Sequence, residues 1–164
     1  GEACYLPKAG GSPFNVCIAA RRLGLDVYFF GGLSTDLFGE DLHAQLEREK
    51  VGLTFVRRVP QPSTLAFVST STHSDVKYAF FKENSADRCL TARDAKLVCD
   101  GQGQLFGAVH MSLGAITLED QQMHGAFSAL FAEARSAGAL TSFDPNIRSS
   151  MIATSQDAYR SMVE

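Results

Sequence analysis

The sequence predicts an α/β fold in which a mainly parallel sheet is covered by helices and interrupted by an antiparallel insertion. Short apolar runs alternate with segments of helical periodicity, which is typical of a parallel sheet. Glycines follow the periodic segments and mark the helix ends. Two strand-like runs, 64–70 and 76–81, flank a polar turn with no helix between them, which predicts the inserted hairpin. We therefore expect residues 1–164 to form one domain.

The predicted elements follow from these patterns in chain order. The first half contains a short strand (2–6), a helix (13–23), a buried strand (27–30), a loop (31–36) and a helix that opens at 38–40, with Gly52 near its end. After the hairpin come a helix start at Thr91, where Asp94 completes a capping box, a buried strand (108–113), a long helix (118–137) and a strand (140–143). Gly101-Gln102-Gly103 is interpreted as a plain turn, because no strand leads into it.

The turn Ala9-Gly10-Gly11-Ser12-Pro13-Phe14-Asn15 is the first candidate site. Adjacent glycines leave the backbone open to a ligand, and Ser12 and Pro13 suit the cap and first turn of a helix. Asn15 adds a hydrogen-bond donor and acceptor one turn later. Such a helix start can hold hydroxyl groups or an anion, but the residues alone are equally compatible with a purely structural turn.

The second candidate site is Asp144-Pro145-Asn146-Ile147-Arg148, which follows the last predicted strand. Ligands of parallel sheets bind at the carboxyl ends of the strands, where the loop 31–36 is also expected. Arg148 carries a permanent charge on a forked donor face suited to phosphate or carboxylate. The alternative interpretation is that Asp144 caps a helix and pairs with Arg148. Lys82, after the second hairpin strand, could reach over a ligand or simply be solvated.

Composition and motifs exclude several classes of function. A net charge of −3 without a basic cluster argues against nucleic acid, and no apolar run approaches a membrane span. The four histidines have no metal-ligand spacing, and the four cysteines form no Cys-x-x-Cys pair, so we expect thiols in a reducing, cytoplasmic compartment and no direct metal site. There is no P-loop, no Gly-x-Ser-x-Gly elbow and no credible dinucleotide fingerprint.

Four ordered segments together resemble the ribokinase/PfkB carbohydrate kinases, most closely the fructokinase branch. They are Gly10 to Val16 with Leu23-Gly24, Phe30-Gly31-Gly32 and Asp36-Leu37-Phe38-Gly39; Thr64 to Val68; Phe80 to Asp87; and Ser142 to Arg148. The resemblance implies a ribokinase-like three-layer α/β/α fold whose inserted β lid, at about 2–8 and 54–83, covers the sugar and can form a homodimer.

The resemblance also implies the chemistry, which is ATP- and magnesium-dependent phosphorylation of a sugar hydroxyl, with fructose as the expected sugar. Gly10, Gly11 and Asn15 would hold sugar hydroxyls, and Phe80 and Lys82 would approach from the lid, where many relatives carry Arg in place of Lys82. Arg148 would stabilise the transferred phosphoryl group, and Asp144 and Asn146 would shape the phosphate and magnesium region.

The C-terminal half of the fold, with its ATP pocket and the Gly-Ala-Gly-Asp segment that supplies the general base, is expected to be missing from these 164 residues, whose ends look cut. The first-strand Asp that reaches the sugar in this family is missing too. We therefore expect the chain to supply sugar-binding and lid parts of a parent enzyme and to be inactive alone. The alternative is a non-catalytic module that binds a small polyol or a protein partner through its flap.

Overall fold

The computed structural model describes residues 4–69, 77–100, 106–112 and 120–146. The helices in these ranges are α1 (Ser12–Arg22), α2 (Leu37–Arg48), α3 (Ala92–Asp100) and α4 (Gln121–Ser136), with a 3-10 helix at Ala86–Arg88. The strands are β1 (Gly31–Ser34), β2 (Val56–Val59), β3 (Leu65–Ser69), β4 (Lys77–Phe81), β5 (Ala108–Ser112) and β6 (Leu140–Asp144). The order confirms an α/β chain with an inserted hairpin.

The strands pair two by two among the described residues. β1 pairs with β2 and β5 pairs with β6, both in parallel, whereas β3 and β4 form the antiparallel hairpin. β2 lies within the span predicted for the lid, but its ladder is with β1. The parallel strand pairs and the antiparallel hairpin thus form separate small sheets. The sequence predicted this separation.

The predicted strand at 27–30 was placed too early in the chain. This segment makes only an isolated parallel bridge between Tyr28 and Gly52. The strand β1 instead occupies 31–34, the segment interpreted as a loop, and all four of its residues are buried. Glycine is required there because a Cβ on Gly32 would lie 2.0 Å from the carbonyl oxygen of Ala86. Two consecutive glycines have no local propensity that predicts a strand. They form one here because the strand packs closely against the 3-10 helix.

A second correction concerns the first residues. The strand expected at 2–6 is absent over its described part, 4–6. Tyr5 instead contacts the hairpin through its ring, which meets the ring of Phe67 edge-on at 5.3 Å. The contact between these segments is between side chains and involves no backbone ladder.

The helix boundaries largely follow the capping signals. Gly24 and Gly138 have positive φ angles of 91° and 81° just beyond α1 and α4, as expected for helix stops. α2 ends before Gly52, with Lys50 rather than glycine in the left-handed region at φ 59°. At α3 the capping box forms, because Thr91 N donates to Asp94 Oδ2 at 2.8 Å and Asp94 N donates back to Thr91 Oγ1 at 3.4 Å.

The buried side chains form three clusters. One joins α1 and α2 to β1 and consists of Phe14, Ile18, Phe29, Leu33, Leu46 and Val51. The others surround α4 and consist of Leu90, Met111, Met123, Ala126 and Phe127, and of Ala95, Val98 and Leu130. Phe30 packs against both α4 clusters. On α4 itself the buried residues recur at helical spacing and lie on one face. Among the described helices none is long and apolar enough to cross a bilayer.

The hairpin has two different faces. Phe67 and Phe81 lie on one face with their rings 5.5 Å apart, and Phe80, opposite Ala66, lies on the other. Phe81 is 63% exposed, whereas Phe80 is half-buried. Because consecutive strand residues point to opposite faces, one of these two neighbouring phenylalanines is left on the open face.

Hydrogen bonds tie the base of the hairpin to the parallel sheet. Asp36, the N-cap of α2, accepts from Gly39 N at 2.8 Å, Ser63 N at 2.7 Å and Ser63 Oγ at 2.7 Å. On the other side of the base, Thr64 Oγ1 lies 2.5 Å from Asp87 Oδ1. The entry to β3 is thereby fixed to α2 and to the segment that leaves β4.

We predict opposite effects of two glycine-to-alanine substitutions. Gly32→Ala should lower the free energy of unfolding by about 1–3 kcal/mol, because the new methyl group meets backbone. Gly125→Ala, inside α4 with open space around its Cβ, should raise it by about 0.5–1 kcal/mol. Urea unfolding measures the change in the free energy of unfolding for each variant. Equal changes in the two variants would contradict the close packing at Gly32.

We also predict a pH-dependent contribution from Asp36. Burial opposes ionisation, but the hydrogen bonds from Ser63, Gly39 and Ser34 outweigh it and lower the pKa of the Asp36 carboxyl below its ordinary 3.8. The stabilisation is therefore complete above that value and is lost as the pH falls through the lower folded-state pKa.

Asp36→Ala should accordingly lower the free energy of unfolding by about 1–2 kcal/mol at pH 7. This difference in stability from wild type should shrink below about pH 4. Urea unfolding across this range measures it, with Asp41→Ala on the exposed side of α2 as the matched control. A deficit that stays constant down to pH 2 would show that the charge of Asp36 contributes nothing.

Candidate functional site

The glycine turn places a glycine, and not the serine, at the N-cap of α1. Gly11 adopts φ 111° and ψ 142°, a conformation that favours glycine, and the helix begins at Ser12 with no side-chain cap. The expectation that Ser12 caps the helix is therefore wrong, although Pro13 does lie in the first turn. Asn15 is exposed one turn into the helix, and its backbone N–H donates to Gly11 O at 2.9 Å.

The strands β5 and β6 end side by side near this helix start. Their parallel register pairs Ser112 with Asp144 at the last position of each strand, so both carboxyl ends lie at one edge. Ser112 is only 2% exposed. Parallel strand ends are the usual place for a ligand in α/β proteins, and α1 packs against β5 there.

A row of polar side chains connects the helix start to the strand ends. Ser12 Oγ is in hydrogen-bond contact with Ser112 Oγ, which donates to Asp144 Oδ2 at 3.4 Å. The other carboxylate oxygen, Asp144 Oδ1, accepts from Asn146 N at 2.9 Å. Three segments far apart in the sequence are thereby held in one arrangement.

The turn after β6 directs Asn146 toward the same place. Asn146 has φ 41°, in the left-handed region that asparagine tolerates better than most residues, and the bond from its N–H to Asp144 stabilises this turn. Pro145 lies between them and fits the extended exit from the strand.

The helix start and this turn enclose an open cleft of about 490 Å³, within the usual range for small-molecule sites. It is lined by Gly11, Ser12, Asn15, Val16, Ala19 and Asn146. None of these side chains carries a charge. Two carboxamides, one hydroxyl and a glycine backbone offer both donors and acceptors, which suits a neutral polyhydroxy ligand better than an anion.

The other residues predicted from the sequence lie elsewhere. Gly10 is exposed beside Gly11 and is not part of the cleft lining. Phe80 and Lys82 belong to the end of the hairpin, where the carbonyl oxygen of Lys82 accepts from Ser85 Oγ at 2.8 Å, and neither lines the cleft among the described residues. Arg148 lies outside the described residues.

Two residues of this arrangement are not singled out by the sequence patterns. Ser112 lies in the predicted buried strand, and Ser12 is predicted only as a cap. The available signal for Ser112 is a small polar side chain at the end of the strand-like run Ala108 to Met111, at the edge where ligands of parallel sheets bind. Within the described ranges, no group of three or more His, Cys, Asp or Glu side chains could hold a metal ion.

Comparison with known proteins agrees with this architecture. The sequence pattern of the pfkB family carbohydrate kinases matches residues 5–164. The fructokinase of Rhizobium leguminosarum bv. trifolii is 36% identical over 152 residues, covering 93% of this chain and 44% of that protein.

Solved fructokinase structures are similar in three dimensions. The fructokinase of Xylella fastidiosa superposes with a TM-score of 0.79 at 26% identity, over 96% of this chain and 49% of that one. The Vibrio cholerae O395 fructokinase in its fructose, ADP and calcium ion bound form also gives 0.79 at 26% identity, over 99% and 51%. This chain thus spans about half the length of the relatives it matches.

Because the family pattern extends over almost all of the sequence, the chain belongs to the pfkB family of carbohydrate kinases.

Proposed function

We propose that the protein phosphorylates a sugar hydroxyl with ATP and that fructose is the sugar. The observation that carries the proposal is the cleft between α1 and the exit of β6, whose lining is uncharged among the described residues and where Asn15 and Asn146 face a common space. A sugar hydroxyl both donates and accepts hydrogen bonds, as carboxamides do. The fructokinase relatives and the fructose-bound Vibrio cholerae structure support fructose as the first candidate.

Some of the site residues would bind the sugar, and others would contact the transferred phosphate group. Gly10, Gly11 and Asn15 would hold sugar hydroxyls, with Phe80 and Lys82 closing from the hairpin. Arg148 would stabilise charge on the transferred phosphoryl group, since a guanidinium matches phosphate oxygens in two places. We further propose that the strand pairs belong to one three-layer α/β/α unit, in which the hairpin is the lid.

The residues of this chain fit only part of a nucleotide and magnesium site. Both carboxylate oxygens of Asp144 already accept hydrogen bonds, from Ser112 and from Asn146 N. Asp144 and Asn146 would therefore shape the magnesium and phosphate region through water rather than by direct ligation. Bound ATP with magnesium would supply the phosphoryl group, and these 164 residues contain no Gly-Ala-Gly-Asp segment to supply a base.

We also propose that the exposed face of the hairpin joins two copies of the protein. Phe67, Phe81 and Tyr5 form a connected aromatic surface, with ring contacts of 5.3 and 5.5 Å. A sheet face of this kind, open to solvent, is typical of a surface that is covered in the assembled protein.

The proposed activity predicts a clear difference between two forms. The 164-residue chain should release no ADP from ATP with any sugar, whereas the longest native product of its gene should do so with fructose. A coupled assay of ADP release measures both. Sugar-dependent turnover by the short chain would show that the missing base is dispensable, and no turnover by the long form on a sugar panel would favour a non-catalytic polyol-binding module.

Within the active form, Arg148→Ala should lower kcat at least about a hundredfold while changing the KM for fructose little, because the charge acts on the transition state. A kcat close to that of wild type would remove Arg148 from the phosphoryl-transfer site.

Phe81→Glu should convert a dimer to a monomer in sedimentation velocity, because it places a charge in the centre of the covered aromatic face. The matched control is Leu23→Glu, at the end of α1, where the side chain is even more exposed than that of Phe81, and it should leave the dimer intact. A wild-type protein that sediments as a monomer at micromolar concentration would contradict the proposal.

A further inference from the structure

The turn that leaves the hairpin is closed by a side chain. β4 ends at Phe81, and across the next four residues Ser85 Oγ donates to the carbonyl oxygen of Lys82 at 2.8 Å. Within the described ranges, no backbone hydrogen bond joins residues 82 and 85. Asn84, inside this turn, has φ 51°, in the left-handed region that is costly for most residues with a side chain. The closed turn therefore depends on the single proton of Ser85.

The same hydroxyl group contacts the entry to the hairpin. Ser85 Oγ lies 2.9 Å from Thr64 Oγ1, and Thr64 Oγ1 lies 2.5 Å from Asp87 Oδ1. Ser85 is 1% exposed, so solvent water does not reach its hydroxyl group to contribute another proton. Three oxygen-to-oxygen contacts, which we call the base contacts, thus lead from Lys82 through Ser85 and Thr64 to Asp87.

The base contacts are one proton short. A carboxylate and a carbonyl oxygen only accept, so the three contacts have only the two hydroxyl protons of Thr64 and Ser85. The Thr64 proton goes to Asp87, because a hydrogen bond to a charged acceptor is the stronger one. The Ser85 proton then has two acceptors at almost equal distances, Lys82 O at 2.8 Å and Thr64 Oγ1 at 2.9 Å. It can fully satisfy only one of them.

The backbone beside the base contacts stays in place whichever acceptor is used. Ala86 N donates to Pro62 O at 2.9 Å, which holds the exit of the hairpin against its entry. Arg88 N donates to Ser85 O at 3.0 Å and fixes the backbone of Ser85. A change of acceptor therefore needs only a rotation of the Ser85 hydroxyl group.

We propose that Ser85 couples the two ends of the hairpin as a two-position donor, whose proton either closes the turn at Lys82 or holds the entry at Thr64. Closing one end releases the other. The coupling sets how firmly the backbone of Lys82 is held. It is a property of the hairpin itself and goes beyond the proposed function, because it does not depend on the ligand of the cleft.

The carbonyl carbon resonance of Lys82 tests the coupling, because the resonance moves downfield when its oxygen accepts a hydrogen bond. It is measured by NMR on the longest native product of the gene, without sugar or nucleotide. Thr64→Val removes the competing acceptor and should move the resonance downfield. Ser85→Ala removes the donor and should move it upfield. Because wild type shares the proton between two acceptors, this upfield change should be about twofold larger in the Thr64→Val background.

Two further substitutions separate the proton count from general damage. Thr64→Ser keeps the hydroxyl group and should leave the Lys82 resonance at its wild-type position. Asp87→Asn changes an exposed residue and adds an amide donor, so all three base contacts can form and the resonance should again move downfield. Asp41→Asn, on the exposed side of α2, makes the same change of charge and should move nothing.

The sign of the change decides the outcome. If the base contacts only held the hairpin together, Thr64→Val would leave the Lys82 resonance in place or move it upfield, and either result overturns the proposal. An Asp87→Asn variant without a downfield shift also overturns it. Because no sugar is present, fructose binding is decided separately: a protein that fails to bind fructose can still show the coupling, and one that binds fructose can lack it.

Discussion

The start of α1 is held against the ends of β5 and β6 by the row of side chains Ser12, Ser112 and Asp144. These residues come from three segments separated by 100 and 32 positions in the sequence. Ser112 lies at the centre and is buried, so its hydroxyl would be costly to leave without partners. Because each member satisfies the next, the row fixes the distance across the cleft between Asn15 and Asn146, and the proposed site depends on it.

A second set of bonds positions the hairpin relative to the parallel strands. Asp36 connects the first turn of α2 to Ser63, and Thr64 connects the entry of β3 to the exit of β4 at Asp87. The close approach of Gly32 to Ala86 fixes the same region from the side of β1. The hairpin is therefore anchored at its base, while the aromatic face of Phe81 remains exposed.

Local signals were sufficient for much of this fold, because helices and hairpins are encoded by nearby residues. The long helix α4, the hairpin of β3 and β4 and the capping box at Thr91 are of this kind. The strand at 31–34 was not predictable, since two glycines have low strand propensity and are extended here by packing against Ala86. Contacts between distant segments decide such cases.

The candidate site was likewise predictable from local sequence only in part. The Gly-Gly turn and the Asp144 segment were recognised from residue type and from their places beside a helix start and a strand end. Their meeting in one cleft depends on Ser112, whose importance comes from its partners in the fold and not from its neighbours in the chain. The uncharged character of the cleft lining among the described residues, visible only in three dimensions, is what favours a sugar over a phosphate at this helix start.

The most direct measurement of this arrangement is a nitrogen-15 NMR titration of the 164-residue chain with fructose and, separately, with inorganic phosphate. If the cleft between α1 and the exit of β6 is one sugar site, the side-chain amide signals of Asn15 and Asn146 will shift together with fructose and give a single dissociation constant, and phosphate will leave the signal of Asn15 unmoved. A shift at only one of the two asparagines with fructose, or a response of Asn15 to phosphate, would contradict it.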